Sequence, residues 1–486
     1  MAIITWKERL WRPAAWVAAL AGIAAIAGAS CSSAEQRNAG GEASLRPNIV
    51  LIVADDLGYG DLGSYGQKRI QTPVLDRMAR EGMRFTDHYA GSTVCAPSRC
   101  TLMTGYHTGH AVVRGNREIK PMGQHPLPDE SVTVAEVLKL AGYRTGLIGK
   151  WGLGGPGSSG EPNRQGFDYF FGYLCQRHAH NYYPEFLFRN TDRVPLENVV
   201  AEPKREDGAG VAVKRVQYSA DLIAQEALDF VERNKDRTFF LAWTATLPHA
   251  NDEAGDKGME VPDYGIYADK DWPEPQKGHA AMITRLDRDV GRLLEKLDEL
   301  GIADKTLVLF TSDNGPHREG GNDPEFNDSN GPLRGIKRDL YEGGIRVPLI
   351  ARWPGKIAPG TVSDHLCAFW DYLPTFAELA GVAAPEGIDG ISFAPTLLGQ
   401  PDLQKEHEFL YWEFHEGKAS KQAVRMGKWK AVRLAPGTPL ELYDLSTDIG
   451  EEHNVAAEHP DVVAKIEQYL KTARTESKYW PLRGGH

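Results

Sequence analysis

The chain has 486 residues, a formal net charge of −11 and five cysteines. This length is enough to bury a substantial core and to form one large domain beside a smaller one. The acidic balance argues against a nucleic-acid partner, although it is compatible with a local basic pocket. The few cysteines exclude a disulfide framework.

Residues 1–31 have the layout of a secretory signal. Three basic residues precede an apolar run over residues 14–28, and small residues lead to Cys31. The stretch AGASCSS resembles a bacterial lipoprotein cleavage site, although Gly28 stands where such sites usually carry Leu; an ordinary signal peptide and a short membrane anchor are the alternatives. We expect export to the periplasm or cell surface, with a lipid anchor at Cys31, and a linker over residues 32–46.

Beyond the linker, apolar strands alternate with amphipathic helices, which is typical of a mostly parallel α/β sheet. The sequence predicts strands over residues 48–54, 144–148, 239–244 and 306–311. Each strand ends just before polar or ionisable residues, and ligands bind at the carboxyl ends of strands in open α/β sheets. We therefore expect one crevice to collect those residues.

Two helices have clear sequence signals. Thr72 is a predicted N-cap, followed by Pro73 at the first helical position and by Gly82 beyond the end. A second helix is predicted over residues 279–300, where apolar residues fall at helical spacing, and Gly301 ends it.

The pattern of predicted elements changes beyond residue 385, where short strands joined by turns replace strands that alternate with helices. These predicted elements are strands within residues 408–414, 422–434 and 440–445 and a helix over residues 460–471. We expect a catalytic domain over residues 47–385 and a smaller C-terminal domain, an antiparallel sheet with one packed helix, over residues 386–486.

Four oxygen-bearing side chains follow two of the predicted strands: Asp55, Asp56, Asp313 and Asn314. Either pair alone is also a common turn sequence. Because oxygen ligands without histidine or thiolate favour a hard cation, the two pairs together predict a Ca²⁺ site, with Mg²⁺ as the alternative.

Cys95 precedes Pro97, which can open a helix, so the thiol is expected beside free backbone N–H groups. The residues alone leave three interpretations open: a thiolate of low pKa, a disulfide partner of Cys100 or Cys175, or an inert core residue.

The run CAPSR at residues 95–99, with Thr104-Gly105 downstream, resembles the signature of the type I sulfatases, which have an alkaline-phosphatase-like fold. The resemblance extends from PNIVLIVADDLGYGDLG through TSDNGP and YEGGIRVP to ELYDL. It implies that a separate maturation enzyme oxidises Cys95 to formylglycine, and that the hydrate of this aldehyde is the nucleophile. It also implies a sulfate ester substrate.

The same resemblance implies roles for the polar residues at the strand ends. Asp55, Asp56, Asp313 and Asn314 match the calcium ligands of the family, and the modified Cys95 completes their shell. The residues matched to substrate and nucleophile are Arg99, which holds the hydrate, Lys150 and Lys337, which bind the sulfate, and His249, which acts at the sulfate or protonates the leaving group.

One position departs from the family pattern. The family usually has a histidine two residues after the first lysine, where this chain has Gly152. His178 or His180, from an aromatic segment, is a hypothetical replacement.

Three questions remain open at this point. The substrate is a sulfated carbohydrate or an aryl sulfate, and the segments 152–183 and 251–278 are expected to shape the pocket mouth. A phosphate or phosphonate ester hydrolase of the same superfamily is the alternative enzyme, although the sequence shows no second Asp-His metal set. A glycan-binding relative without catalysis is the third interpretation.

Overall fold

The computed structural model describes residues 46–484. The predicted signal, Cys31 and nearly all of the linker lie outside the described residues. The strands are β1 Asn48–Ala54, β2 Met83–Phe85, β3 His88–Tyr89, β4 Arg144–Lys150, β5 Tyr169–Tyr173, β6 Phe186–Arg189, β7 Asp192–Pro195, β8 Val199–Val200, β9 Ala212–Lys214, β10 Phe239–Thr244, β11 Thr306–Ser312, β12 Leu349–Arg352, β13 Thr361–Ser363, β14 Cys367–Ala368, β15 Leu410–Phe414, β16 Lys421–Met426, β17 Trp429–Arg433 and β18 Glu441–Asp444. The helices are α1 Pro73–Glu81, α2 Cys95–Thr104, α3 Val134–Leu140, α4 Ser219–Asn234, α5 Glu274–Glu299, α6 Glu342–Ile345, α7 Tyr372–Ala380, α8 Ala394–Leu397 and α9 Pro460–Leu470.

The main sheet has ten strands in the order β13-β2-β12-β11-β1-β10-β4-β5-β6-β7. Its centre, from β11 to β5, is parallel, whereas β12, β6 and β7 pair antiparallel with their neighbours. This mixed sheet with helices on its faces confirms the predicted alkaline-phosphatase-like α/β class, and the four predicted strands all lie in its parallel centre.

Strand β1 shows why the sheet is buried on both faces. Alternate residues of a strand point to opposite faces. Leu51 therefore packs in one core with residues of α2, α3 and α7, whereas Ile52 packs in a second core with residues of α1, α4 and α5. A strand covered on both sides needs an uninterrupted apolar run, as NIVLIVA provides.

The helix that carries Cys95 begins earlier than predicted. Helix α2 starts at Cys95 itself, which leaves Pro97 in its first turn. The N–H groups of a first turn have no partner within the helix, so a proline there costs no hydrogen bond. Helix α5 similarly starts at Glu274, five residues before the predicted start at residue 279, and the predicted loop over residues 152–183 contains strand β5.

The C-terminal part contains an antiparallel sheet in the order β15-β16-β17-β18 and helix α9, as predicted. It is joined to the rest by a buried ion pair, since Arg114 donates to Glu413 at 2.9 Å. Arg474, also in the C-terminal part, donates to the same carboxylate at 2.8 Å. The division into domains at residue 385 stays a prediction. Among residues 46–484, none of the helices combines the length and apolar character needed to cross a bilayer.

Candidate active site

The predicted polar residues meet at one edge of the main sheet. Strands β11, β1, β10 and β4 are neighbours, so the residues that follow their carboxyl ends lie side by side. In the turn after β1, Asp56 adopts a left-handed backbone conformation with φ of 66°. This conformation turns Asp55 and Asp56 toward the same site, at a cost on the order of 1 kcal/mol.

The four oxygen-bearing residues form one connected group. Asn314 donates from Nδ2 to Asp56 at 2.7 Å, and the backbone N–H of Asp56 donates to Asp313 at 3.2 Å. All four are buried. The Oδ1 atom of Asn314 has no hydrogen-bond partner, so this buried oxygen is available to a ligand.

Each of the three carboxylates has a cationic side chain against it. Lys150 Nζ lies 2.6 Å from Asp55, and Lys337 Nζ lies 2.8 Å from Asp56. Arg99 donates from Nε and NH2 to one oxygen of Asp313. The structure thus brings these six predicted residues into one cluster.

The carboxylates respond differently to this cluster. Burial raises the pKa of Asp55, but the charges of Lys150 and Arg99 outweigh burial and hold this pKa at about 2. Burial and the negative charge of Asp55 raise the pKa of Asp313, which Arg99 offsets only in part. Three carboxylates in one buried site repel one another, and a bound cation relieves that repulsion.

Cys95 lies at the centre of these charges as the first residue of α2. Its Sγ is 3.4 Å from Lys150 Nζ and 3.4 Å from Asp55 Oδ1. Burial raises the pKa of the thiol well above its ordinary value, which does not support the interpretation as a thiolate of low pKa. The four cysteines of the described chain, including Cys100 and Cys175, are free, so Cys95 forms no disulfide with them.

The orientation of His249 is fixed by its backbone. Its Nδ1 lies 2.7 Å from the carbonyl oxygen of Ala250 and therefore carries the proton. Its Nε2 faces Lys337 Nζ at 3.1 Å and accepts from this ammonium. Burial and the charge of Lys337 lower the pKa of His249 well below its ordinary value, so the imidazole is neutral. The proton of the hydrogen bond between the two side chains therefore belongs to the Lys337 ammonium.

The two histidines proposed to replace a side chain at position 152 have different surroundings. His178 is buried between Tyr173 and Phe186, and burial lowers its pKa to about 3. The ring of His180 instead stacks on His249, with ring centroids 4.8 Å apart and an interplanar angle of 16°. His180 is therefore the one that reaches the site.

Gly152 has a structural reason to lack a side chain. Its φ is +82°, and a Cβ atom there would lie 2.4 Å from Nε2 of Gln176. The carboxamide of Gln176 thus occupies the space of a side chain at position 152, and its Nε2 is buried without a hydrogen-bond partner.

Two residues of the site were absent from the sequence prediction. Glu319 lies 3.3 Å from Lys337 and also pairs with Arg338, and the ring of His317 stacks on His249 with centroids 5.8 Å apart. Their position soon after Asp313-Asn314 was the only available signal. Sequence proximity to a predicted ligand does not by itself show that a loop folds back over the site.

Two further groups of histidines and acids resemble metal sites, but their hydrogen bonds indicate otherwise. In the group Asp56, His317 and Glu319, both nitrogens of His317 are engaged, since Nδ1 accepts from the backbone N–H of Glu319 and Nε2 faces the carbonyl of Pro248.

In the group His107, His110 and Asp389, the backbone N–H of Gly109 donates to Nδ1 of His107. The ring proton therefore lies on Nε2, which faces Asp389 at 3.5 Å. His110 contacts the same carboxylate through Nδ1 at 2.9 Å, so the side chains of this group are engaged with one another.

Comparison with known proteins agrees with this geometry. The family model described as Sulfatase matches residues 47–382, and the model described as N-sulphoglucosamine sulphohydrolase, C-terminal, matches residues 336–476. Arylsulfatase A of Homo sapiens is 35% identical over 471 residues, which cover 87% of this chain and 86% of that protein.

Two further proteins extend the comparison. N-acetylgalactosamine-6-O-sulfatase of Bacteroides thetaiotaomicron is 31% identical over 536 aligned positions, with 94% of this chain and 98% of that protein covered. The crystal structure of Ps i-CgsB in complex with k-i-k-neocarrahexaose matches with a TM-score of 0.73 and 28% identity, and covers 90% of this chain and 95% of that one.

Proposed function

Because this chain belongs to the sulfatase family and is a sulfuric ester hydrolase, we propose that it is an exported enzyme that removes sulfate from carbohydrates, using a formylglycine made from Cys95 and a bound Ca²⁺ ion. The observation that carries this proposal is the position of Cys95, whose Sγ lies 3.4 Å from both Lys150 and Asp55. A side chain at this point faces the cationic groups that would hold a sulfate and the acids that would hold a metal.

The residues present fit a calcium ion. Asp55, Asp56, Asp313 and Asn314 offer only oxygen ligands, which a hard cation prefers, and Asn314 Oδ1 is buried without a partner. A bound divalent cation would supply positive charge next to the nucleophile and the sulfuryl oxygens.

The surroundings of Cys95 fit a modified residue better than a reactive thiol. Its pKa is raised by burial, and it has no disulfide partner in the described chain. Oxidised to an aldehyde by the maturation enzyme, this residue would supply a hydrated carbonyl. One of its hydroxyl groups would attack sulfur as the S–O bond to the alcohol breaks, and the other would then expel sulfate and restore the aldehyde. Arg99, which lies one helical turn after Cys95 in α2, would hold the hydrate.

Cationic side chains of the protein carry out the other parts of the reaction. Lys150 and Lys337 bind the sulfuryl oxygens and offset the negative charge that develops there. His249 keeps its Nδ1–H on the carbonyl of Ala250, which orients Nε2 and the attached Lys337 ammonium toward the leaving oxygen. The leaving alcohol takes its proton from this His249–Lys337 pair, a refinement of the sequence-based assignment to His249 alone.

Two relatives support a carbohydrate as the substrate. One is named for N-acetylgalactosamine-6-sulfate and is matched over 98% of its length, and the solved structure with the neocarrahexaose ligand is matched over 95% of its length. An aryl sulfate remains the second candidate, since Arylsulfatase A is 35% identical to this chain.

Parallel assays test the activity. The protein is produced with a formylglycine-generating enzyme and offered an aryl sulfate, an aryl phosphate and a panel of sulfated mono- and oligosaccharides. We expect sulfate esters to be hydrolysed and Cys95→Ala to abolish turnover, with mass spectrometry showing the aldehyde in the Cys95 peptide. Faster hydrolysis of the phosphate would favour the phosphatase alternative, and an intact thiol in protein from the native host would favour a glycan-binding relative.

Export rests on the N-terminal pattern of the sequence. Basic residues, an apolar run and small residues before Cys31 support secretion with lipidation of Cys31. Cell fractionation with Cys31→Ala tests this proposal: release of the variant from membranes supports the anchor, whereas unchanged fractionation contradicts it.

A further inference from the structure

A cavity lies next to the loop that leads to His180, since Cys175 at the start of this loop lines it. This cavity, called the side cavity here, has a volume of about 550 Å³ and is lined by residues that include Glu118, Lys120, Met122, Cys175, Arg205 and Asp207. Its volume falls within the range of about 300–1,000 Å³ that is typical of ligand pockets. The catalytic cluster does not use any of these side chains.

A continuous series of contacts joins the side cavity to His249. Arg177 pairs with Glu118 at 3.2 Å and with Glu253 at 3.3 Å. Glu253 also accepts from Nδ1 of His180 at 3.2 Å, and the His180 ring stacks on His249. Along this series exposure increases from the buried His249 to Arg177, whose side chain is 34% exposed. These contacts form a row of polar side chains between the catalytic cluster and the side cavity, and the row becomes more exposed toward the cavity.

The walls of the side cavity are fixed relative to the site. The carboxamide oxygen of Gln124 accepts the backbone N–H of Gln176 at 2.8 Å, which ties the segment before Gln124 to the loop that carries His180. A Cβ atom on Gly123 would lie 2.6 Å from Cα of Gly155, so the two backbones pack closely. A cavity formed in advance binds its ligand without the cost of ordering loops.

The chemistry of the lining indicates what it binds. Arg205 holds Asp207 through two N–H donors, and such pairs offer donors and acceptors to the hydroxyl groups of a sugar. The Lys120 side chain is exposed, and it forms no ion pair within residues 46–484. A free ammonium at the rim suits an anionic substituent such as a second sulfate or a carboxylate.

We propose that the side cavity is a second sugar subsite, which binds the unit next to the sulfated one in a sulfated oligosaccharide. This inference rests on the proposed carbohydrate sulfatase activity and names its substrate class as an extended glycan. The substrate then runs from Cys95 past His180 and Arg177, and the neighbouring sugar contacts Arg205 and Lys120.

Paired substrates and variants test the subsite. Matured enzyme is assayed on a panel of sulfated carrageenan and glycosaminoglycan tetrasaccharides, on the sulfated monosaccharide of each, and on 4-nitrophenyl sulfate. We expect kcat/KM for the best tetrasaccharide to exceed that of its monosaccharide at least tenfold. Lys120→Ala and Arg205→Ala should lower kcat/KM on this tetrasaccharide at least tenfold more than on 4-nitrophenyl sulfate, mainly through KM.

A matched variant and the aryl substrate separate the possible failures. Lys405→Ala, at another exposed lysine, should leave all three activities unchanged. Monosaccharides as good as tetrasaccharides, equal losses on tetrasaccharide and aryl sulfate, or turnover of the aryl sulfate alone would each overturn the subsite. The absence of any sulfate hydrolysis by the matured wild-type enzyme would instead overturn the proposed function.

Discussion

Arg99 and Asp313 form a buried two-point contact in which Nε and NH2 of the arginine donate to one carboxylate oxygen at 3.1 and 2.8 Å. The third nitrogen, NH1, donates to the carbonyl oxygen of Lys150 at 2.6 Å. Arg99 therefore fixes the ends of β11 and β4 relative to helix α2. The guanidinium of Arg99 therefore holds the residues of the site in place and also balances the charge of Asp313.

Substitution of Arg99 is expected to damage both stability and turnover. Arg99→Ala leaves Asp313 buried without its cation, which costs about 3–5 kcal/mol. Arg99→Lys keeps the charge but loses the planar geometry that reaches two partners, so we expect kcat/KM to fall about 100-fold. Thermal denaturation and steady-state assays measure the two effects. Arg164→Ala, at an exposed ion pair, is the matched control and should change stability by less than about 1 kcal/mol.

Removal of the metal should destabilise the protein. Asp55, Asp56 and Asp313 repel one another in a buried site unless a cation joins them. A ligand at 100 times its Kd adds about 2.7 kcal/mol of stability, so we expect EGTA to lower Tm and activity and Ca²⁺ to restore both. Asp313→Asn should reduce the rise in Tm that Ca²⁺ produces. A wild-type Tm that changes neither with EGTA nor with added Ca²⁺ would contradict the metal assignment.

His178 and His180 should respond differently to truncation. The ring of His180 stacks on His249, so His180→Ala is expected to lower kcat/KM about 10- to 100-fold on a sugar sulfate through misplacement of His249. His178 packs between Tyr173 and Phe186, so His178→Ala should lower Tm. His453→Ala, at an exposed histidine, should affect neither quantity. Unchanged turnover in both His178→Ala and His180→Ala would show that neither histidine replaces a side chain at position 152.

This contrast shows where the sequence stops being informative. The central strands were predictable because buried parallel strands require apolar runs, and polar residues at their ends point to a site. His178 and His180 are only two residues apart on one short turn, yet they point to different surroundings. Glu319 and Gln176 reach the site through the folding of loops, and no periodic pattern encodes such folding.

Gly152 offers a test of whether Gln176 fills the space of a missing side chain. Gly152→Ala should destabilise the protein by more than the roughly 1 kcal/mol expected for a left-handed backbone alone, because its Cβ would meet Gln176. Gly157 has a similar φ of +76°, and a Cβ atom there would have nothing within 4 Å, so Gly157→Ala reports the backbone cost alone. In the background of Gln176→Gly, the two alanine variants should become equally costly. Equal costs in the wild-type background would show that Gln176 does not restrict position 152.

Glu413 should make stability depend on acid pH, since it joins the C-terminal sheet to the rest of the chain. Burial raises its pKa, but the hydrogen bond from His415 and the charges of Arg114 and Arg474 outweigh burial and hold the pKa at about 2. The folded pKa lies below the unfolded value of about 4.3, so the contribution is complete above the unfolded pKa and is lost as pH falls toward the folded one.

The expected size of this contribution follows from the shift. The fall in the pKa of Glu413 from about 4.3 in the unfolded chain to about 2 in the folded one corresponds to about 3 kcal/mol of unfolding free energy. At pH 7, Glu413→Gln should therefore unfold with about 3 kcal/mol less free energy than wild type, and this difference should shrink as pH falls from about 5 toward 2. Urea denaturation across that range measures it, with Glu408→Gln at an exposed ion pair as the control. A difference that stays constant with pH would show that Glu413 is not the titrating group.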